Sequence, residues 1–359
     1  MRKGIFATLS VGAALAAAIG FAPVAHADLD GNETMLDPAV TLIMPFDVTA
    51  NHASFELVSR IGGAAIDPVA THWSFWSESC DHLADVFICL TQKDTIVVDP
   101  TALQGQLQSS GKNVNTGPVI NLSGAKGFVT VTAYDFLHGA SSCTVNDPSA
   151  ASTDPSIVGS WVVANTSSNA AFGNNAYGLQ DALTLPDATV LNDGTPSDPQ
   201  GLFLQTFDPT SLQDSEVFFI GVAAPSGNGE FAASEVGPIP SALTNGHALA
   251  CDAEYCDNVE TCVSIPDLVL DCSSSRKIAD NSALGNDATA IIPASIPADT
   301  SGFVHLTNCV IGDDGGVNVS IGDGATIGGV DITAFLFAFH GQSVGPFGTA
   351  VSAKYTSQG

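Results

Sequence analysis

Positive charge is what this chain has least of. Lys and Arg together number 9, against 37 Asp and Glu, and the formal net charge is −28. Gripping a phosphate backbone needs clustered basic side chains, so no nucleic acid partner is expected. Docking on an anionic membrane surface fails on the same ground. After the apolar run at its start, the chain has no second run long enough to span a bilayer, so no integral membrane segment is expected. Catalytic signatures are also missing. There is no G-x-S-x-G elbow, no H-E-x-x-H pair, no G-x-x-x-x-G-K-[ST] phosphate loop and no C-x-x-C-H haem attachment. These absences weaken hydrolase, ATPase and cytochrome readings, although a triad assembled from distant residues leaves no spacing signature.

What is present starts with a compartment signal. Arg2 and Lys3 precede an apolar run from Ile5 to Val24, and Ala25-His26-Ala27 supplies small residues at the −3 and −1 positions of a cleavage site. Residues 1–27 therefore read as a secretory signal peptide, with the mature chain starting at Asp28. Asp28 is not Cys, which argues against a lipoprotein and leaves a secreted, periplasmic or surface-held protein. Export carries eight cysteines into an oxidising compartment: Cys80, Cys89, Cys143, Cys251, Cys256, Cys262, Cys272 and Cys309. Up to four disulfides are the default there. Four of the eight crowd into Cys251–Cys272, and short loops close at small entropic cost, so pairing mostly within that group is expected. Cys309 would then reach back to Cys80, Cys89 or Cys143.

Period-two patterning dominates and helical patterning is rare. Strands are expected at Thr41–Thr49, where Pro45 marks an edge or bulge, and at Ala53–Gly62, where Phe55, Leu57 and Ile61 would face a core and Glu56 and Arg60 the solvent. Val69–Glu78, Leu83–Gln92, Asp94–Pro100, Phe128–Phe136, Ile157–Thr166, Leu202–Phe207 and Val217–Ala223 continue the series, separated by Gly-, Asn-, Asp-, Ser- and Pro-rich turns. Composition shifts near Pro225. The expected organisation is β-sandwich strands over 28–225, a cysteine-rich acidic insertion over 226–290, and closing strands of the same sandwich over 291–359. The fold class is all-β: an antiparallel β-sandwich with a disulfide-rich irregular insertion.

Several residue groups invite chemistry, and each has a plainer reading beside it. Asp28, Asp30 and Asn32 alternate as oxygen donors for Ca²⁺, but Glu33 stands where an EF-hand loop has Gly. Asp313, Asp314 and Asp323 form a second oxygen-rich patch, and turn chemistry explains it as well. No cofactor is required by any motif, and calcium is the ion these patches would suit. His72, Cys80, His82 and Cys89 carry transition-metal ligand types, against which stands disulfide formation plus packing. Trp73, Phe75 and Trp76 are a sugar-stacking platform or a core strand, with alternation placing Trp73 and Phe75 together and Trp76 opposite. Phe335, Phe337 and Phe339 share one face, read as core or a self-association surface. Asp47, Asp85, Asp99 and Asp135 lie near strand ends and are the first acid–base suspects for an enzyme.

The run Thr41–Gly62, then His72-Trp73-Ser74-Phe75-Trp76, then Asp94-Thr95-Ile96-Val97-Val98-Asp99-Pro100 resembles a loose group of uncharacterised bacterial secreted proteins. Their late strands are similar to Gly302-Phe303-Val304 and Phe347-Gly348-Thr349-Ala350. The resemblance implies a secreted β-sandwich holding both chain ends, and it brings no activity. The function expected is a secreted bacterial surface or extracellular protein of adhesion or matrix type. It would bind an extracellular polymer, or itself, without catalysis. Two alternatives stand beside it: a secreted hydrolase of polysaccharide or protein that uses carboxylates, and a subunit of an extracellular filament.

Overall fold

In a computed structural model of the protein, the residues described are 38–61, 69–103, 120–135, 150–151, 155–167, 170–179, 201–206, 214–225, 237–238, 249–257, 261–279, 290–292, 302–312, 318–320, 324–327, 330–343 and 350–356. Every secondary-structure element among them is a strand, which gives the all-β class expected from the alternation. None of the described residues belongs to a helix long and apolar enough to cross a membrane. The signal peptide, the Gln104–Gly117 stretch and the Ca²⁺ candidates Asp28, Asp30, Asn32, Asp313, Asp314 and Asp323 lie outside the described residues.

The first half holds β1 (Thr41–Asp47), β2 (His52–Arg60), β3 (Val69–Ser77), β4 (His82–Leu90), β5 (Thr95–Val98), β6 (Lys126–Asp135), β7 (Ala150–Ala151), β8 (Ile157–Asn165), β9 (Ala170–Asn175) and β10 (Tyr177–Leu179). They form two antiparallel sheets, β10-β1-β6-β3-β4 with β7 beside β6, and β5-β2-β8-β9. Strand β10 pairs with Thr41–Ile43 of β1, so among the described residues Pro45 has no strand partner on that side to receive an N–H. Both sheets feed one hydrophobic core. Leu42, Phe46, Trp73 and Val131 enter it from the first sheet, and Val58 and Trp161 from the second. The rings of Phe46 and Phe75 meet edge to face at 5.5 Å, the geometry their quadrupoles favour.

Strand β2 corrects the expected facing. Its core side carries Ser54, Glu56, Val58 and Arg60, all buried, while Phe55 and Leu57 are half-buried on the other face and Ile61 is 51% exposed. Register explains this. Glu56 lies opposite Val98 and Trp161, and Val58 opposite Ile96, all core residues. A one-residue choice of register moves every side chain to the other face. Here the gain from seating Val58, Ile96, Val98 and Trp161 together outweighs the cost of taking a carboxyl inside.

The second half holds β11 (Gly201–Thr206), β12 (Asp214–Pro225), β13 (Gly237–Pro238), β14 (Leu249–Asp257), β15 (Cys262–Leu270), β16 (Ser273–Ala279), β17 (Ala290–Ile292), β18 (Gly302–Gly312), β19 (Asn318–Ser320), β20 (Gly324–Ile327), β21 (Val330–Ser343) and β22 (Ala350–Thr356). One sheet runs β11-β18-β14-β15 with β19 on β18. The other runs β17-β16-β12-β21-β20 with β13 on β12 and β22 on β21. All pairs are antiparallel except β16–β17. The cysteine-rich stretch, expected to be irregular, is drawn into regular strands. Cys251, Ala253 and Tyr255 alternate inward, against exposed Asp252 and half-buried Glu254. Among the described strands, the late strands β18, β21 and β22 pair with strands that follow residue 200.

The halves are joined where the β3–β4 turn meets the start of β16. Cys80 is disulfide-bonded to Cys272, with Cα atoms 5.2 Å apart. Cys272 therefore reaches into the first half instead of pairing within its own crowded group. Around the bridge, the Glu78 carbonyl accepts the N–H groups of Cys272 and Ser273 at 3.2 and 3.3 Å, and its Oε1 accepts Ser275 N–H at 2.6 Å. Lys126 Nζ stands 3.1 Å from Glu78 Oε2 and donates to Ser275 Oγ at 3.3 Å. The buried rings of Trp161 and Phe218 meet edge to face at 5.8 Å across the same divide.

Candidate functional site

The β3–β4 hairpin builds the richest polar cluster in the described residues. Alternation in His72-Trp73-Ser74-Phe75-Trp76 sends Trp73 and Phe75 into the core and His72, Ser74 and Trp76 to the opposite face. On β4, Asp85 lies opposite Ser74 and Phe87 opposite His72. His82 is three residues before Asp85, so an unbroken strand would point the two to opposite faces. A register shift between Phe75 and Trp76 leaves Leu83 as the extra residue and sets His82 opposite Trp76. This bulge brings His82 and Asp85 to one face, a re-aiming that bulges commonly perform. Gly127 on β6 makes the close approach there workable, since a Cβ would collide with the Trp76 carbonyl oxygen.

Three donors converge on one oxygen. Asp85 Oδ1 accepts the Ser74 hydroxyl at 2.7 Å and lies 2.9 Å from His82 Nε2 and 3.2 Å from His72 Nε2. An ionised carboxylate only accepts, so both imidazoles donate from Nε2–H. Burial of Asp85 acts to raise its pKa. The hydrogen bonds from His72, Ser74 and His82 outweigh it and hold the carboxyl well below the usual range. The Tyr134 phenol is pushed up to about 12, first by burial and second by the Asp85 charge. Rings frame the cluster. His72 stacks on Phe87 at 4.3 Å and 13°, and His82 tilts against Trp76 at 4.8 Å.

Of the sequence candidates, the structure brings together His72, His82 and Asp85, and keeps Cys80 and Cys89 apart from them as disulfide sulfurs. Cys256 pairs with Cys262, and Cys251 is also disulfide-bonded, whereas Cys143 and the side chain of Cys309 lie outside the described residues. Asp47 and Asp99 each build a turn. In each, Oδ1 accepts the N–H and hydroxyl of the threonine two residues on, at 2.8 and 2.6 Å. The side chains of Asp135, Phe335, Phe337, Phe339 and His340 lie outside the description. Trp73 and Phe75 are fully buried, so they pack the core and offer no stacking platform.

Ser74 and Tyr134 were missed as cluster members. Ser74 follows from alternation once His72 is placed, but Tyr134 needed the β3–β6 register, which sets it opposite Ala70. A second carboxyl was missed altogether. Glu56 is buried, accepts the Ser54 hydroxyl at 2.7 Å, and has no hydrogen-bond partner at Oε2 among the described residues. Burial first, and the Asp99 charge behind it, push its pKa up to about 8 against the Ser54 bond. No family model, curated protein or solved structure matches this chain.

Proposed function

We propose that the protein is a secreted surface or matrix component that acts by binding, with the β3–β4 hairpin as its most organised exposed feature. The observation carrying this reading is the convergence of three donors on Asp85 Oδ1. Nucleophilic catalysis needs a hydroxyl hydrogen-bonded to a base. Here the Ser74 hydroxyl donates to a carboxylate that two imidazole N–H groups also hold in its ionised form, which makes it a poor base, a pattern that fixes a surface. Side-chain exposures near 44% for Asp85 and 43% for His82 leave the rim open to a partner. The acidic composition fits a polymer rich in hydroxyl groups better than a polyanion.

The test incubates the mature chain with insoluble polysaccharides and with intact bacterial cells. Retention without release of soluble sugar or peptide is the expected result. Hydrolysis that the Asp85→Asn variant loses would replace this reading with the carboxylate hydrolase. One observation favours a filament as second reading: among the described strands β15 is the edge of its sheet, and it exposes Val263 and Val269, the latter at 47%. Electron microscopy over a concentration series tests it, and particles that stay monomeric throughout would exclude it.

A further inference from the structure

We propose that the β14–β15 hairpin is a Zn²⁺ site closed by its own disulfide. Register sets Cys256 opposite Cys262, with Cα atoms 4.0 Å apart and the sulfurs bonded. Glu254 lies two residues before Cys256 and so shares its face. Ligand atoms from Glu254, Cys256 and Cys262 all lie within 4.8 Å of one another. From the neighbouring strand β18, His305 faces Glu254 in register and places Nδ1 2.9 Å from its Oε1. His305 is nearly buried, so the carboxylate is held on its inner side by a fixed imidazole.

While the disulfide is closed, neither sulfur can serve as a thiolate ligand. A dithiol reductant supplies two electrons and two protons, breaks the S–S bond to give two thiols, and leaves as its own cyclic disulfide. Zn²⁺ then displaces the two thiol protons and forms bonds to Cys256 Sγ and Cys262 Sγ, of about 2.3 Å in such sites. Glu254 supplies the third ligand, His305 acts as a positioning residue for it, and a fourth position stays open. Soft thiolates select Zn²⁺ over Ca²⁺. Among the described residues of the hairpin, Asp252 and Asp267 are exposed, and Asp257 accepts the Thr261 N–H at 2.9 Å. Access favours this bridge for mild reduction. Each bridge has one buried end, Cys256 or Cys272, but the other end is exposed at Cys262 and only half-exposed at Cys80.

The experiment treats the folded full chain with a mild dithiol, removes it, and alkylates the free thiols for peptide mapping. Label is expected at Cys256 and Cys262 before Cys80 and Cys272. The reduced chain should then bind one Zn²⁺, and Co²⁺ in its place should give a thiolate-to-metal charge-transfer band. The unreduced chain should show neither. Glu254→Gln should weaken Zn²⁺ by about tenfold or more, and Cys256→Ser/Cys262→Ser should abolish binding. Should the double variant fail to fold, the wild type still decides, because bound Zn²⁺ must protect those two thiols from alkylation. Uptake that survives the double substitution, protection confined to other cysteines, or no uptake after reduction would each overturn the site.

Discussion

Glu56 and Asp85 stand on different sheets of the same half, and their surroundings drive them to opposite charge states. Glu56 points into the core shared by both sheets, has one hydroxyl donor at 2.7 Å, and is pushed up to about 8. Asp85 stands half-exposed on the outer face of β3–β4, has three donors on one oxygen, and is held below the usual carboxylate range. Burial penalises the charged form at both sites. Donor count separates them: one neutral hydroxyl cannot replace the hydration of a carboxylate, whereas a hydroxyl and two imidazole N–H groups can. Charge on this fold is therefore decided locally, and the net charge of −28 describes neither residue.

The widest break in that comparison is Glu56→Gln. The folded pKa of Glu56 lies above its unfolded value, so the folded state holds a proton that the unfolded chain releases. Its burden is absent below about pH 4.5 and grows until the pH passes about 8. From the separation of the two pKa values the cost reaches about 5 kcal/mol at alkaline pH. Glutamine keeps the shape and cannot ionise. Urea unfolding of both chains at pH 5 and pH 9 should show the variant gaining several kcal/mol on the wild type between the two conditions. Parallel pH curves would mean that Glu56 is ionised in the fold.

Ser54→Ala sharpens the same site from the donor side. It removes the hydroxyl that holds Glu56 Oε1 and leaves a buried acceptor unsatisfied, at a cost of about 1–3 kcal/mol. The Ser54 bond lowers the Glu56 pKa. Its loss should therefore carry the alkaline decline in stability to higher pH than in the wild type. Chemical denaturation across pH 6 to 10 reads both effects, and an unshifted decline would remove Ser54 from the account.

These two carboxyls also show what the sequence could and could not reveal. Alternation located most strands of the first half and faced Trp73 and Phe75 correctly, because aromatic residues at period two leave one solution. It failed on β2, where Phe55 and Leu57 suggested the core face. The true choice was made by cross-strand partners Ile96, Val98 and Trp161, far away in the chain. Strands β14 to β16 were hidden because cysteines were counted as bridge ends instead of as apolar residues of an alternating strand. In the Asp85 cluster, His72 and Asp85 were each visible as chemistry-bearing residues. Their meeting with His82 depends on a bulge, and an unbroken period of two forbids it.

Asp85→Asn is the smallest expected change and the most informative about the exposed cluster. The folded pKa of Asp85 lies below its unfolded value, so its contribution is full above about pH 3.9 and fades as acid protonates it. Solvent reaches nearly half of the side chain, which screens the interaction and cuts the effect to about 1 kcal/mol at pH 7. The variant should thus be slightly less stable than the wild type at pH 7, with the gap closing toward pH 2. The same urea measurement separates the two by sign: both gaps open with rising pH, but Asp85→Asn falls behind the wild type while Glu56→Gln gains on it. Retained cell or polysaccharide binding by Asp85→Asn would show that the cluster only shapes the hairpin. Lost binding, with the pH 7 stability within about 1 kcal/mol of the wild type, would place the ionised oxygen in contact with the partner.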